Sequence, residues 1–212
     1  MGYLIGILIA FGVILLSMML HELAHGYVAY LLGDETAKDE GRLTLNPFKH
    51  LDPVLSVAMP LLLFLSGGPI FGGAKPVPID PKKLKHGVWG MAMVAIAGPL
   101  TNFVLAFFAF TIGHFTGWMY VGGVLGEIFL DLMYINLGFG VFNLIPIPPL
   151  DGSRVLYAIA PDGVREAMEK METWGIVVVM LIVILMPGVI SAIMSGAMEG
   201  IIEGFYWIVG RR

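Results

Sequence analysis

The stretch YLIGILIAFGVILLSMMLHELAH, residues 3–25, decides how the rest of the chain is read. Its first 18 residues, Tyr3 to Leu20, carry no charge, and about 20 apolar residues suffice to cross a hydrocarbon core as a helix. Its end, His21-Glu22-Leu23-Ala24-His25, sets two imidazoles four residues apart. On a helix that spacing leaves them about 40° from superposed, on one face. Two histidines so placed can hold one tetrahedral Zn²⁺, with Glu22 beside the metal as a general base. The metal motif therefore lies within a membrane span.

Working outward, the same character persists. Of 212 residues, 58% are hydrophobic and 13% charged, whereas a soluble domain is about a quarter charged. The first segment is too long, and too polar at its end, for a cleaved signal peptide, and it lacks a basic n-region. The expected architecture is an all-α polytopic membrane protein forming one domain over residues 1–212. Its core covers 3–160, and additional C-terminal helices cover 174–209. The first helix is expected from Tyr3 to Leu32, ended by Gly33-Asp34. Val88–Phe115 and Val121–Leu150 read as the second and third spans. Trp174–Met186 with Val189–Ile193 reads as a fourth, bent at Pro187-Gly188. The tail Met194–Val209 fits either the interface or the bundle. Arg42–Leu45 suits a short strand. Residues 53–73 contain Pro60 and the run Gly67-Gly68-Pro69-Ile70-Phe71-Gly72-Gly73, which argues against a continuous helix.

There are no cysteines, so a metal must be held by His and carboxylate. Asp151 follows Asn143-Leu-Ile-Pro-Ile-Pro-Pro-Leu150, where prolines 146, 148 and 149 break the third span. Irregular backbone at membrane depth is tolerated where it lines a cavity, and a carboxylate on that break can reach the two histidines. Two His and one carboxylate leave the fourth zinc position open, the arrangement of a catalytic site. His50, His86 and His114 are isolated and read as loop or interface residues. If both helices bring ligands to one metal they run in the same direction, so an odd number of crossings separates them. Val88–Phe115 supplies one, and 53–73 is then a re-entrant, partly extended hairpin. This topology puts ten of the twelve basic residues on one side. The positive-inside rule places the N-terminus outside and the metal toward the cytoplasm.

His21-Glu-Leu-Ala-His25, Ala97-Gly-Pro-Leu-Thr-Asn102 and Asn143-Leu-Ile-Pro-Ile-Pro-Pro-Leu-Asp151-Gly resemble, in order, the motifs of the site-2 protease family of intramembrane metalloproteases. Asn46-Pro-Phe-Lys-His-Leu-Asp-Pro53 and Gly72-Gly-Ala-Lys-Pro-Val-Pro78 resemble the compact prokaryotic branch without PDZ or CBS domains. The resemblance implies one zinc per chain on His21, His25 and Asp151, with Glu22 as base. It also implies hydrolysis of a peptide bond within the bilayer, on single-span membrane proteins. In such chemistry a tetrahedral oxyanion needs donors besides the metal. Asn143 and Asn102 are the candidates, each also readable as an interhelical hydrogen-bonding group. Asn136 is a weaker candidate. Residues Gly67–Asp80 could offer a strand edge to an unwound substrate.

Two other readings compete. A membrane zinc protease of the prenyl-peptidase kind would draw a third ligand from a Glu on a later helix, with Glu127 the nearest. A non-catalytic zinc-holding scaffold or transporter would have no need of Glu22. No basic stretch suits nucleic acid.

Overall fold

The computed structural model describes residues 2–58 and 73–210. Helix α1 (Gly2–Leu31) is followed by a single turn, α2 (Thr36–Asp39), a 3₁₀ turn at Pro47–His50 and a π-helical turn at Pro53–Ala58. An extended strap over residues 73–80 leads toward α3 (Val88–Thr116). Then come the short α4 (Trp118–Val121), α5 (Gly123–Asn143), α6 (Asp151–Ile159), α7 (Asp162–Glu172), α8 (Gly175–Leu185) and α9 (Pro187–Val209). All regular elements among the described residues are helical, the form that satisfies every backbone group within one lipid-exposed segment. Four of them, Leu4–Leu31, α3, α5 and α9, are long and apolar enough to cross a membrane.

Contacts along the first three spans fix their relative directions. His25 meets Val94 and His21 meets Asn102, so α1 and α3 are antiparallel. Glu127 lies beside Gly6, Asn136 bonds to Ser17, and Asp151 lies beside His21, so α5 runs parallel to α1. Helix α3 is the centre of this group and packs against α1, α5 and α6. Its buried positions are largely small, among them Ala92, Ala95, Ala97, Gly98, Ala106, Ala109 and Gly113. Small residues let apolar helices approach closely in a solvent that gives them no hydrophobic reason to associate. Farther from the histidines, Phe110, Met133, Leu137 and Phe205 form a core joining α3, α5 and α9.

Three expectations need correction. Arg42–Leu45 is a series of bends, because the Arg42 guanidinium turns inward to donate to the Lys75 carbonyl at 2.8 Å. The third span stops at Asn143, and residues 144–150 form turns before a new helix begins at Asp151. The fourth membrane-length helix is α9 rather than a bent 174–193. The eleven residues of α8 rise only about 16 Å, short of the ~30 Å hydrocarbon core. Pro187 starts a separate helix as its N1 residue, where a missing N–H costs nothing. The body of the expected re-entrant hairpin, 59–72, lies outside the described residues. Its flanks meet at one end of the bundle, where Lys85 N–H donates to the Leu32 carbonyl at 2.8 Å.

Candidate metal centre

Three breaks in regular structure create the site. On α3, Pro99 has no N–H for the Ala95 carbonyl, and Gly98 has no side chain to hold neighbours away. On the α5–α6 junction, Gly152 packs so tightly that a Cβ there would lie 2.1 Å from the Leu144 carbonyl. Only glycine fits, and Asp151 is thereby pressed against the broken end of α5. Ser153 closes the turn through a 2.7 Å hydrogen bond from its hydroxyl to the Leu150 carbonyl. On the strap, residues 73–80 are held by scattered single bonds. Ser56 Oγ donates to Gly73 O, Lys75 N–H donates to His50 O, and Val77 N–H donates to Glu22 Oε2 at 2.8 Å.

These elements bring His21, His25 and Asp151 together, with candidate ligand atoms all within 4.8 Å of one another. The two Nε2 atoms are 2.9 Å apart, and Asp151 Oδ2 lies 3.2 Å from His21 Nε2 and 3.4 Å from His25 Nε2. The other ring nitrogens are occupied. His25 Nδ1 donates to the Val94 carbonyl at 2.8 Å, and His21 Nδ1 to Asn102 Oδ1 at 2.6 Å. A neutral imidazole that donates from Nδ1 has a bare lone pair on Nε2. Two lone pairs and a buried carboxylate oxygen with no hydrogen-bond partner then face one another. Such a set repels itself unless a cation sits among it, and its donors match the His/carboxylate chemistry of Zn²⁺. No other group of this kind occurs among the described residues. His50 and His114 are buried but bonded elsewhere, to Thr44 O and Tyr120 Oη.

A cavity of about 420 Å³ opens beside His21. His21, Glu22 and Asn143 are its polar lining. Ala74 and Pro76 of the strap flank it on one side, and Ile176 and Met194 of α8 and α9 on another. Asn143 donates from Nδ2 to the Phe139 carbonyl at 3.1 Å, which leaves its second N–H available. Asn102 is placed differently. It is fully buried behind His21, with both halves of its amide bonded to protein, so it meets the His21 ring rather than facing the cavity. Glu127 sits beside Gly6 near the start of α1, remote from the histidines along the helix. The sequence reading missed the Val94 and Val77 backbone partners and the role of Ser17. The last had one visible signal, a hydroxyl four residues before His21 and so on the same helical face.

A family model described as peptidase family M50 matches residues 119–187. YwhC of Bacillus subtilis, named as a candidate zinc metalloprotease, is 39% identical over 175 residues, covering 80% of this chain and 77% of the relative. The chain belongs to peptidase family M50. A second relative, Rip2 of Mycolicibacterium smegmatis, carries the same description and is 31% identical over 171 residues, 80% of this chain and 64% of its own length. A protein of Methanocaldococcus jannaschii named as a zinc metalloprotease is 30% identical over 151 residues, 71% of this chain but 34% of its own length. The resemblance to site-2 proteases is thus met by sequence relatives across most of the chain. No solved structure matches it significantly.

Proposed function

We propose that this M50 protein is a zinc-dependent intramembrane endopeptidase of the HExxH type. Its substrates would be single-span membrane proteins, cut within or near their membrane segments. The observation that carries the reading is the convergence of two bare Nε2 lone pairs and an unpartnered Asp151 oxygen beside a cavity that also holds a carboxylate. His21, His25 and Asp151 would hold one Zn²⁺ per chain. Zinc supplies a polarised scissile carbonyl and a water acidified toward neutrality. Glu22 would take a proton from that water and later pass it to the departing amine. The Val77 N–H bonds to one Glu22 oxygen, which fixes the carboxylate's orientation and leaves its other oxygen for proton transfer. Asn143 would direct its free N–H at the developing oxyanion. Asn102 would orient His21.

The mostly apolar cavity lining suits a hydrophobic segment, and four membrane-length helices support a bilayer environment for it. Ten of twelve basic residues fall in segments attached to the site's end of the bundle. That supports an active site toward the cytoplasm and an N-terminus outside. A zinc scaffold or transporter is the weaker reading, since it gives no use for Glu22 at the cavity wall.

Zinc content and cleavage of a single-span substrate by Glu22→Gln separate these. The variant is expected to keep one zinc per chain and lose cleavage. Full activity would overturn the mechanism, and loss of zinc would make Glu22 a ligand instead.

A further inference from the structure

Three amide and hydroxyl groups lie deeper in the bundle, behind the histidines. Asn102, Asn136 and Ser17 are all fully buried, each on a different span. Polar side chains in such surroundings are costly, so their bonding pattern carries information. Asn136 Nδ2 donates to the Leu132 carbonyl and to Ser17 Oγ, both at 2.8 Å. A backbone carbonyl can only accept, so Leu132 fixes which end of the Asn136 amide is nitrogen. Asn136 Oδ1 is then the acceptor for Asn102 Nδ2, at 2.8 Å. That fixes the Asn102 amide in turn, with Oδ1 aimed at His21 Nδ1. His21 must carry its proton on Nδ1, and its Nε2 is left bare toward His25 and Asp151.

We propose that Asn136 is a positioning residue for the metal centre: through Asn102 it sets the tautomer in which His21 can bind a metal. The inference rests on the metal reading above. Without Asn136, the Asn102 amide has no reason to keep its oxygen toward His21. A flipped amide would offer N–H to Nδ1 and force the proton onto Nε2, the form that cannot ligate. Polarity thus passes from the Leu132 carbonyl on α5 to Asn102 on α3, and from there to His21 on α1.

The test uses the full chain in detergent or lipid, with zinc affinity from chelator competition and His21 ¹⁵N shifts in the metal-free protein. Asn136→Leu should weaken zinc binding by about 10–100-fold, the usual cost of losing an outer partner. It should also populate the Nε2–H tautomer of His21. Asn136→Asp should retain affinity and the Nδ1–H tautomer, because a carboxyl group in either protonation state still accepts from Asn102. A role in helix packing alone requires the reverse for Asp, which places oxygen against the Leu132 carbonyl. An ionised Asn102→Asp presents an acceptor oxygen to His21 whichever way it turns, so adding Asn136→Leu to it should no longer change zinc affinity.

Equal loss in Asn136→Leu and Asn136→Asp, or an Asn136→Leu effect that persists beside Asn102→Asp, would overturn the proposal. If Asn136→Leu does not fold, the tautomer in Asn136→Asp still decides. Nδ1–H upholds the relay and Nε2–H ends it. Wild-type protein that binds no zinc would defeat the metal reading, while the tautomer shifts would still judge the relay on their own.

Discussion

Gly98 faces both histidine rings: a Cβ built on it would lie 2.4 Å from His25 Nε2 and 2.6 Å from His21 Cε1. Neither ring can retreat, since each is pinned through Nδ1 to α3. Gly98→Ala is therefore expected to lower zinc affinity by about tenfold or more, as loss of ligand geometry does. Thermal stability should fall as well, since overpacking a buried site costs about 1–3 kcal/mol and alanine's better helix propensity offsets only part of it. Elemental analysis beside a melting curve checks both. Unchanged zinc content would mean that the rings do not bind metal in this arrangement. The His21–His25–Asp151 cluster was legible in the sequence, because a four-residue spacing and a carboxylate on a proline break are local patterns. Asn102 was legible only as a polar residue in an apolar span. Whether an amide faces a substrate or a ligand depends on which helix lies behind it, and no local pattern encodes that.

At the scale of elements, the strap is held where α1 ends. Asp34 is fully buried and accepts from Thr36 N–H at 3.0 Å, Thr36 Oγ at 2.5 Å and Asp80 N–H at 2.7 Å. Burial pushes its carboxyl up, but the bonds from Thr36 and Asp80 outweigh it and hold the group below its ordinary 3.8. A carboxylate depressed in the folded state adds stability above its unfolded pKa and loses it as pH falls through the folded value. Asp34→Asn should thus melt roughly 4 °C lower at pH 7, the size expected for charge-assisted bonds in a chain of this length. The gap between wild type and variant should narrow as pH drops through and below 3.8. A gap that stays constant with pH would remove the charge from the account. Hydropathy located the first two spans almost to the residue, but it carried the third past its end at Asn143 and misjudged the fourth. An apolar run from 174 to 193 reads as one helix until Pro187 is seen to open a new one, and the start of α9 lies inside that run. The Arg42 strand failed for a related reason, since a buried guanidinium bonded to the strap is a tertiary fact.

The whole molecule repeats the same argument about direction. A metal shared between the first span and Asp151, argued from sequence, required α1 and α5 to be parallel, and the pairings Gly6–Glu127, Ser17–Asn136 and His21–Asp151 give that register. Helix α3 returns between them, and the Leu32–Lys85 and Asp34–Asp80 bonds join the end of α1 to the chain entering α3. Whatever path 59–72 takes, the flanking residues belong to one end of the bundle. Gly117, in the left-handed turn after α3, belongs to the other. Cysteines introduced singly at Asp39 and Lys83 should therefore react with an impermeant thiol reagent from the same face of sealed vesicles, and one at Gly117 from the opposite face. The native chain has no cysteine, so each signal is unambiguous. Cytoplasmic labelling of 39 and 83 would agree with the basic residues clustered there, Lys38, Lys82 and Lys85 among them. Labelling of 39 and 83 from opposite faces would require a true crossing between them. The close bonds at Leu32 and Asp34 would then be impossible in a bilayer, and the three-helix register would have to be abandoned.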